Sequence, residues 1–256
     1  MNTPLTLSRS FRCLVFSLFL ALVTACEPPP ISSLSAEDGI ARIRENHNDE
    51  RWDIVASEVT EYRSRYPYSK FAAEAELLQA DAYFQSGRYP EAITIYDGFL
   101  AKFPKHPKAA FALFRNGLCL DKQSPEAVDR EQRYSERALE TYASYLEKYP
   151  EGGEVGEVKE RIQVLRERIA GHYLFVARFY WKKELYQSAL YRYLEILQKF
   201  PMYPDMKSEA TTRASEAYER LADLLEKDPK SDLYTSFKGE TPASLRAKGQ
   251  ELLKSR

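Results

Sequence analysis

Apolar and polar positions alternate with a helical period along most of this chain, and the pattern repeats. Residues 71–104 read as two short amphipathic helices joined by a turn at Ser86-Gly87-Arg88, with small or aromatic residues at Ala80, Tyr83, Tyr89, Ala92 and Tyr96 and a closing Pro104. Adding 97 to those numbers reaches Ala177, Tyr180, Tyr186, Ala189, Tyr193 and Pro201. Adding 46 to the second helix reaches Ala138, Tyr142 and Pro150. Gly87 has no glycine partner, because Glu184 stands in its place. The economical explanation is a helical hairpin used several times over.

Small residues let two helices cross closely, aromatics fill the gaps, and a proline ends the second helix. On those positions the hairpin resembles the tetratricopeptide repeat. The fold class expected is therefore all-α, a tetratricopeptide-like solenoid of about five hairpins with a C-terminal capping helix.

The first unit is degenerate. Helical periodicity starts near Ala36, and the second helix covers 51–66 ahead of Pro67, but Trp52, Val55 and Val59 occupy the places of Tyr89, Ala92 and Tyr96. Such drift is expected of a terminal repeat that caps a stack. In the third unit a helix over 108–121 is separated from one over 131–149 by the polar insertion KQSPEAVDREQR, which contains Pro125 and reads as a projecting loop. After Gly152-Gly153 comes a run over 156–183, about 40 Å at 1.5 Å per residue, so it must protrude or serve two neighbours. A further helix over 205–225 and a last one over 242–254, with Leu245, Leu252 and Leu253 spaced along it, complete the array.

The start of the chain has a different character. Arg9 and Arg12 precede an apolar run from Cys13 to Val23, too short for a comfortable membrane span of about 20 residues. The segment ends Val23-Thr24-Ala25-Cys26, which resembles the lipobox of bacterial lipoprotein signals. That resemblance implies cleavage before Cys26 and acyl chains on its sulfur and new amino terminus, a multi-chain anchor. Glu27, where inner-membrane retention usually needs aspartate, favours the outer membrane, with the protein facing the periplasm. Residues 27–35, EPPPISSLS, suit an extended tether. The expected organisation is a signal at 1–25, a lipidated Pro-rich tether at 26–35, N-terminal repeats at 36–150, and C-terminal repeats with the capping helix at 151–256.

Composition narrows the chemistry. The 256 residues carry 37 basic and 38 acidic side chains, a formal charge of -1, which gives no general reason to bind nucleic acid. With Cys13 removed and Cys26 acylated, Cys119 alone would meet the periplasm, which excludes a disulfide framework and leaves it a buried thiol. His47, His106 and His172 fall in different repeats, and no HExxH, GxSxG or GxxxxGK pattern occurs. Neither an enzyme, a metal site nor a cofactor is expected.

In tetratricopeptide arrays the first helix of each hairpin lines the concave face. Register places Leu77, Asp81, Phe84 and Gln85 there, and in the fourth hairpin Leu174, Arg178, Trp181 and Lys182. Phe84 and Trp181 are equivalent aromatics that could hold a peptide by apolar contact. Arg178, Lys182 and Lys183 around Trp181 favour an acidic partner, and Arg166 and Arg168 could extend that cluster.

One stretch is more specific than repeat geometry: Leu165-Arg166-Glu167-Arg168-Ile169-Ala170, His172, then Val176-Ala177-Arg178-Phe179-Tyr180. With Asp129-Arg130, and His106-Pro107 ahead of Gly117-Leu118, it resembles the BamD/ComL family of outer-membrane assembly lipoproteins. One departure is Asn116 before Gly117, with Arg115 one step earlier, where the family often has arginine directly before the glycine. The resemblance implies a subunit of the β-barrel assembly (Bam) complex. Its C-terminal repeats would dock on the POTRA domains of a BamA-like barrel protein, beside other Bam lipoproteins, and its N-terminal repeats would receive unfolded outer-membrane proteins. The alternatives are another periplasmic tetratricopeptide scaffold lipoprotein, such as a regulator of peptidoglycan synthesis, or a lipid-anchored cell-wall enzyme.

Overall fold

A proline two residues beyond the last helical turn ends four of the helices in the same way. The computed structural model describes residues 29–228, 237 and 239–254. Within them lie α1 (Ala36–Asn48), α2 (Trp52–Arg65), α3 (Ala72–Gln85), α4 (Tyr89–Lys102), α5 (Ala109–Gln123), α6 (Arg133–Lys148), α7 (Val155–Lys182), α8 (Tyr186–Lys199), α9 (Pro204–Lys227) and α10 (Pro242–Lys254). Tyr66, Phe103, Tyr149 and Phe200, which follow α2, α4, α6 and α8, each precede a proline and share φ between -125° and -133°. The proline ring disfavours helical backbone in the residue before it, so the sequence signal and the stop coincide. The described chain is all-α, a succession of tetratricopeptide-like hairpins in which each helix packs on the next.

The tight turns inside the hairpins share a second feature. Glu50, Gly87 and Glu184 occupy the same turn position and all adopt left-handed backbone, with φ of 58°, 75° and 59°. The glycine of the second hairpin is therefore replaced by a side chain elsewhere without a change of turn, at a conformational cost.

Within each hairpin a large aromatic from the second helix fills the crossing. Tyr62, Tyr96, Tyr142 and Tyr193 are all fully buried. The crossing is tight at Gly117, where an added Cβ would stand 2.5 Å from the Tyr142 ring, so only hydrogen fits.

Three larger units of core follow one another, and a small one of Ile169, Ala170 and Phe200 links the last two. The first hairpin buries Ile31, Ile40, Ile43, Val55 and Val59; the second and third share Leu77, Phe99, Leu113, Leu120 and Tyr145; the fourth, with α9 and α10, buries Leu190, Ile196, Leu221, Leu225 and Leu245. Helix α7, 28 residues and about 42 Å long, contributes Val158, Ile162 and Leu165 to the middle core and Leu174 and Ala177 to the last. It serves two neighbours, one with each half. The packing thus divides within α7, whereas the sequence division at 150/151 falls ahead of it.

Two expectations change. Residues 124–132 are exposed from 126 to 131 but anchored at both ends: Ser124 and Gln132 are buried, Gln132 Nε2 donates to the carbonyls of Ala127 and Arg130, and Val128 meets α7 beside Gly171, with its carbonyl 2.7 Å from His172 Nδ1. The Gln132 side chain here satisfies the loop's own backbone, which fixes its shape while its outer residues stay in solvent. Residues 29–34 are not free tether either, since Ile31 is fully buried and Leu34 packs on the first core. The signal segment and Cys26 lie outside the described residues.

Candidate interaction surface

The first helices of successive hairpins are joined by ion pairs, one set at each step. Arg44 on α1 makes a two-pronged contact with Glu74 on α3, both bonds 2.6 Å. Two turns further along α3, Asp81 receives His47 of α1 at 2.9 Å and Arg115 of α5 at 3.1 Å, so a single carboxylate ties three hairpins. Asp121 of α5 accepts from Arg161 of α7 at 2.6 Å, and Arg168 stands 4.0 Å from its other oxygen. Arg178 of α7 grips Glu209 of α9, with its Nε at 2.7 Å. Planar guanidinium matched to carboxylate in this way fixes orientation as well as distance.

The buried tyrosines lie behind this row. Burial, with Asp81 close by, raises the Tyr96 hydroxyl well above its ordinary range, and burial beside Asp121 does the same to Tyr142. Burial also pushes Tyr193, near Glu209, up to about 12, and the Cys119 thiol up to about 12. A thiol so placed, 0% exposed, stays protonated and inert at neutral pH.

The two equivalent aromatics occupy matching sites. Phe84 meets Tyr89 edge-on at 5.6 Å and carries the Arg115 guanidinium 4.4 Å from its ring centre. Trp181 meets Tyr186 edge-on at 5.3 Å and carries Arg213 at 4.7 Å. Each ring is half-buried, held between a tyrosine of its own hairpin and an arginine of the next first helix. Beside Phe84 an open hollow of about 260 Å³ is walled by Leu118, Asp121, Lys122, Glu157 and Arg161.

The remaining expected surface residues distribute differently. Leu77 is 5% exposed and belongs to the core, which removes it from any open face. Arg166 is exposed, but Arg168 is mostly covered and directed at Asp121, so it does not extend the Arg178 cluster. Arg178 is exposed though engaged by Glu209, and Lys182 is exposed beside it. Neither Arg115 nor Arg213 was expected here. Their role depends on contact between hairpins, and the only hint was an arginine placed one step from the family's position. Phe175 and Phe179, 42% and 48% exposed, add an apolar pair one turn apart on α7.

The histidines each have a local partner: His47 with Asp81, His106 Nδ1 accepting from the Lys108 amide at 3.1 Å, and His172 with Val128. Among the described residues no group of three or more His, Cys, Asp or Glu side chains gathers where a metal could be held, and no helix is long and apolar enough to cross a membrane. The surface offers binding chemistry: fixed charges, shelved aromatics and a shallow hollow.

Comparison with known proteins gives a consistent answer. The family model YfiO, described as "Outer membrane lipoprotein", matches residues 42–233. An "Outer membrane protein assembly factor BamD" from Caulobacter vibrioides is 25% identical over 167 residues, 65% of this chain and 54% of that protein. Its namesake from Neisseria meningitidis serogroup B is 26% identical over 54% of this chain and 55% of its own length. The Pasteurella multocida protein of that name is 23% identical over 83% of this chain and 85% of its own. The chain thus spans about half the length of the first two relatives and most of the third. A solved complex of the yeast Sti1 TPR2AB domain aligns over 86% of this chain with a TM-score of 0.43 and 14% identity, too loose to add to what the hairpins themselves show.

Proposed function

The chain belongs to the YfiO family of outer membrane lipoproteins, and we propose that it is a periplasm-facing subunit of the β-barrel assembly complex, helping to assemble and insert outer-membrane proteins. It acts by holding other polypeptides in place. Acyl chains on Cys26 tie it to the inner leaflet of the outer membrane. The C-terminal repeats, around Arg178, Trp181 and Lys182, dock on the POTRA domains of a BamA-like barrel protein. The N-terminal repeats, with Phe84 beside its hollow, receive unfolded clients, and other Bam lipoproteins complete the assembly.

The observation that carries this reading is α7. One continuous helix enters both the middle and the last core, so a client held near α3 and a partner held near α9 share one rigid support. Positioning of this kind needs no reactive group. The relatives' names, all of one assembly factor, favour this over a peptidoglycan-related scaffold or a cell-wall enzyme.

Affinity purification of the lipoprotein from detergent-solubilised membranes tests it. A barrel protein with POTRA domains is expected in stoichiometric yield, and depletion in the native cell should lower outer-membrane protein levels. Purification without such a partner, or depletion without that loss, rejects the assignment.

A further inference from the structure

The way residues 29–34 are fastened limits how far the first hairpin can stand from Cys26. Ile31 is 0% exposed within the first core, Arg42 Nη1 donates to the Pro29 carbonyl, and the Ser32 amide donates to Glu61 at 2.9 Å. The Tyr66 hydroxyl donates to the Leu34 carbonyl. Between Cys26 and the pinned Ile31 there remain 31 - 26 = 5 residue steps, which reach at most about 18 Å when fully extended.

The same end of the hairpin carries the connection from α2 to α3. Tyr62 stitches the two together, its hydroxyl donating to the Ala36 carbonyl at 3.1 Å and lying 2.9 Å from Ser69 Oγ. From this connection Tyr68 stands out 98% exposed, the most exposed of the large hydrophobic side chains described. Two cations flank it. Arg65 lies over the Tyr66 ring at 5.5 Å with no carboxylate partner among the described residues, and Lys70 lies over Phe71 at 4.9 Å, paired at 3.3 Å with an exposed Glu37. A tyrosine with an apolar ring and a polar tip suits the headgroup zone of a bilayer, and lysine or arginine beside it suits lipid phosphates.

We propose that the α2–α3 connection is a membrane-contacting edge. Tyr68 enters the headgroup layer of the phospholipid leaflet that receives the acyl chains of Cys26, and Arg65 and Lys70 meet its phosphates. Lipid is the occupant because the five-step link keeps this end of the hairpin at the bilayer, and because Tyr68, 98% exposed, is not among the residues that wall the neighbouring hollow at Tyr66 and Pro67. The hairpin is thereby oriented, with its far end directed into the periplasm. This rests on acylation of Cys26 as proposed above.

The test uses the full acylated chain in vesicles of phosphatidylethanolamine and phosphatidylglycerol, with an environment-sensitive fluorophore on Tyr68→Cys or, as control, on Met202→Cys, which is 54% exposed in the loop after α8. Cys119 is fully buried and leaves the label site-specific. Lipids carrying a quencher just below the headgroup should reduce emission at 68 by about twofold or more and leave 202 unchanged. Arg65→Glu with Lys70→Glu should relieve that quenching, and an unchanged melting temperature shows that the fold is kept. Equal quenching at 68 and 202, or none at 68 on an acylated chain, overturns the edge alone. Intact mass reads acylation separately: a chain without acyl mass overturns both the edge and the anchor.

Discussion

The guanidinium carbon of Arg213 sits 4.7 Å from the centre of the Trp181 ring, reaching it from the next first helix along the chain. An incoming side chain can therefore reach the face of Trp181 only by moving Arg213 or by using it as part of the contact. Arg213→Ala should uncover the ring, shift tryptophan emission to longer wavelength and cost about 0.5–1 kcal/mol of stability. Emission compared with a Trp52→Phe background isolates Trp181, the second of the two tryptophans. Unchanged emission would mean that the pairing does not persist in solution.

Gly117 and Tyr142 should be the least tolerant pair in the middle core. A methyl at 117 would meet the ring at 2.5 Å, and the ring is fully buried with nowhere to retreat. Gly117→Ala is expected to destabilise by about 1–3 kcal/mol. Tyr142→Phe should not rescue it, because the ring carbons make the clash, whereas Tyr142→Leu should recover part of the loss. Chemical denaturation of the three variants decides the matter.

At the left-handed turns, opposite substitutions should act in opposite directions. Nothing lies within 4 Å of a Cβ built on Gly87, so Gly87→Ala tests backbone conformation alone and should cost about 1 kcal/mol. Glu184→Gly should raise the melting temperature, by less than that equivalent, since glycine also gains freedom in the unfolded chain.

The Arg178–Glu209 pair predicts both a charge-swap result and a pH response. Arg178→Glu places two carboxylates together and should lower stability as well as any partner binding; adding Glu209→Arg should restore the melting temperature. If the swap regains stability but not binding of the proposed partner, Arg178 is itself an interface residue. If both return, its role lies in fixing α9 against α7.

The hydrogen bonds from Arg178 hold the Glu209 carboxyl below its ordinary 4.5, and Arg44 does the same for Glu74. Such depressed groups contribute stability that is fully present above pH 4.5 and is lost as pH falls through the lowered folded value. Melting temperature should therefore decline on acidification below that point. Glu209→Gln should flatten part of the decline.

Much of the hairpin order was legible because it is written locally. A small residue opposite an aromatic, with proline after the second helix, reports a crossing that needs no knowledge of other repeats, and Ala80, Tyr96 and Pro104 reappear at fixed offsets for that reason. What lay beyond reading was contact between hairpins. Leu77 looked like a surface position in an idealised register, yet it is buried. Nothing local in the sequence marks Arg115 and Arg213 as the residues that reach back from the next hairpin over Phe84 and Trp181. Ile31 and Leu34 sat in a segment rich in proline and serine that signalled a tether, and Val128 was a lone apolar residue in a polar insertion. In each case the informative partner was a residue far along the chain.

The continuity of α7 has a mechanical consequence. A row of hairpins joined by short turns can flex at every joint, but the unbroken hydrogen-bonded axle from Val155 to Lys182 removes that freedom where the two larger cores meet. A torque applied to α9 by a bound neighbour would be passed towards α5 through the same shaft whose arginines, 161 and 168, lean on Asp121.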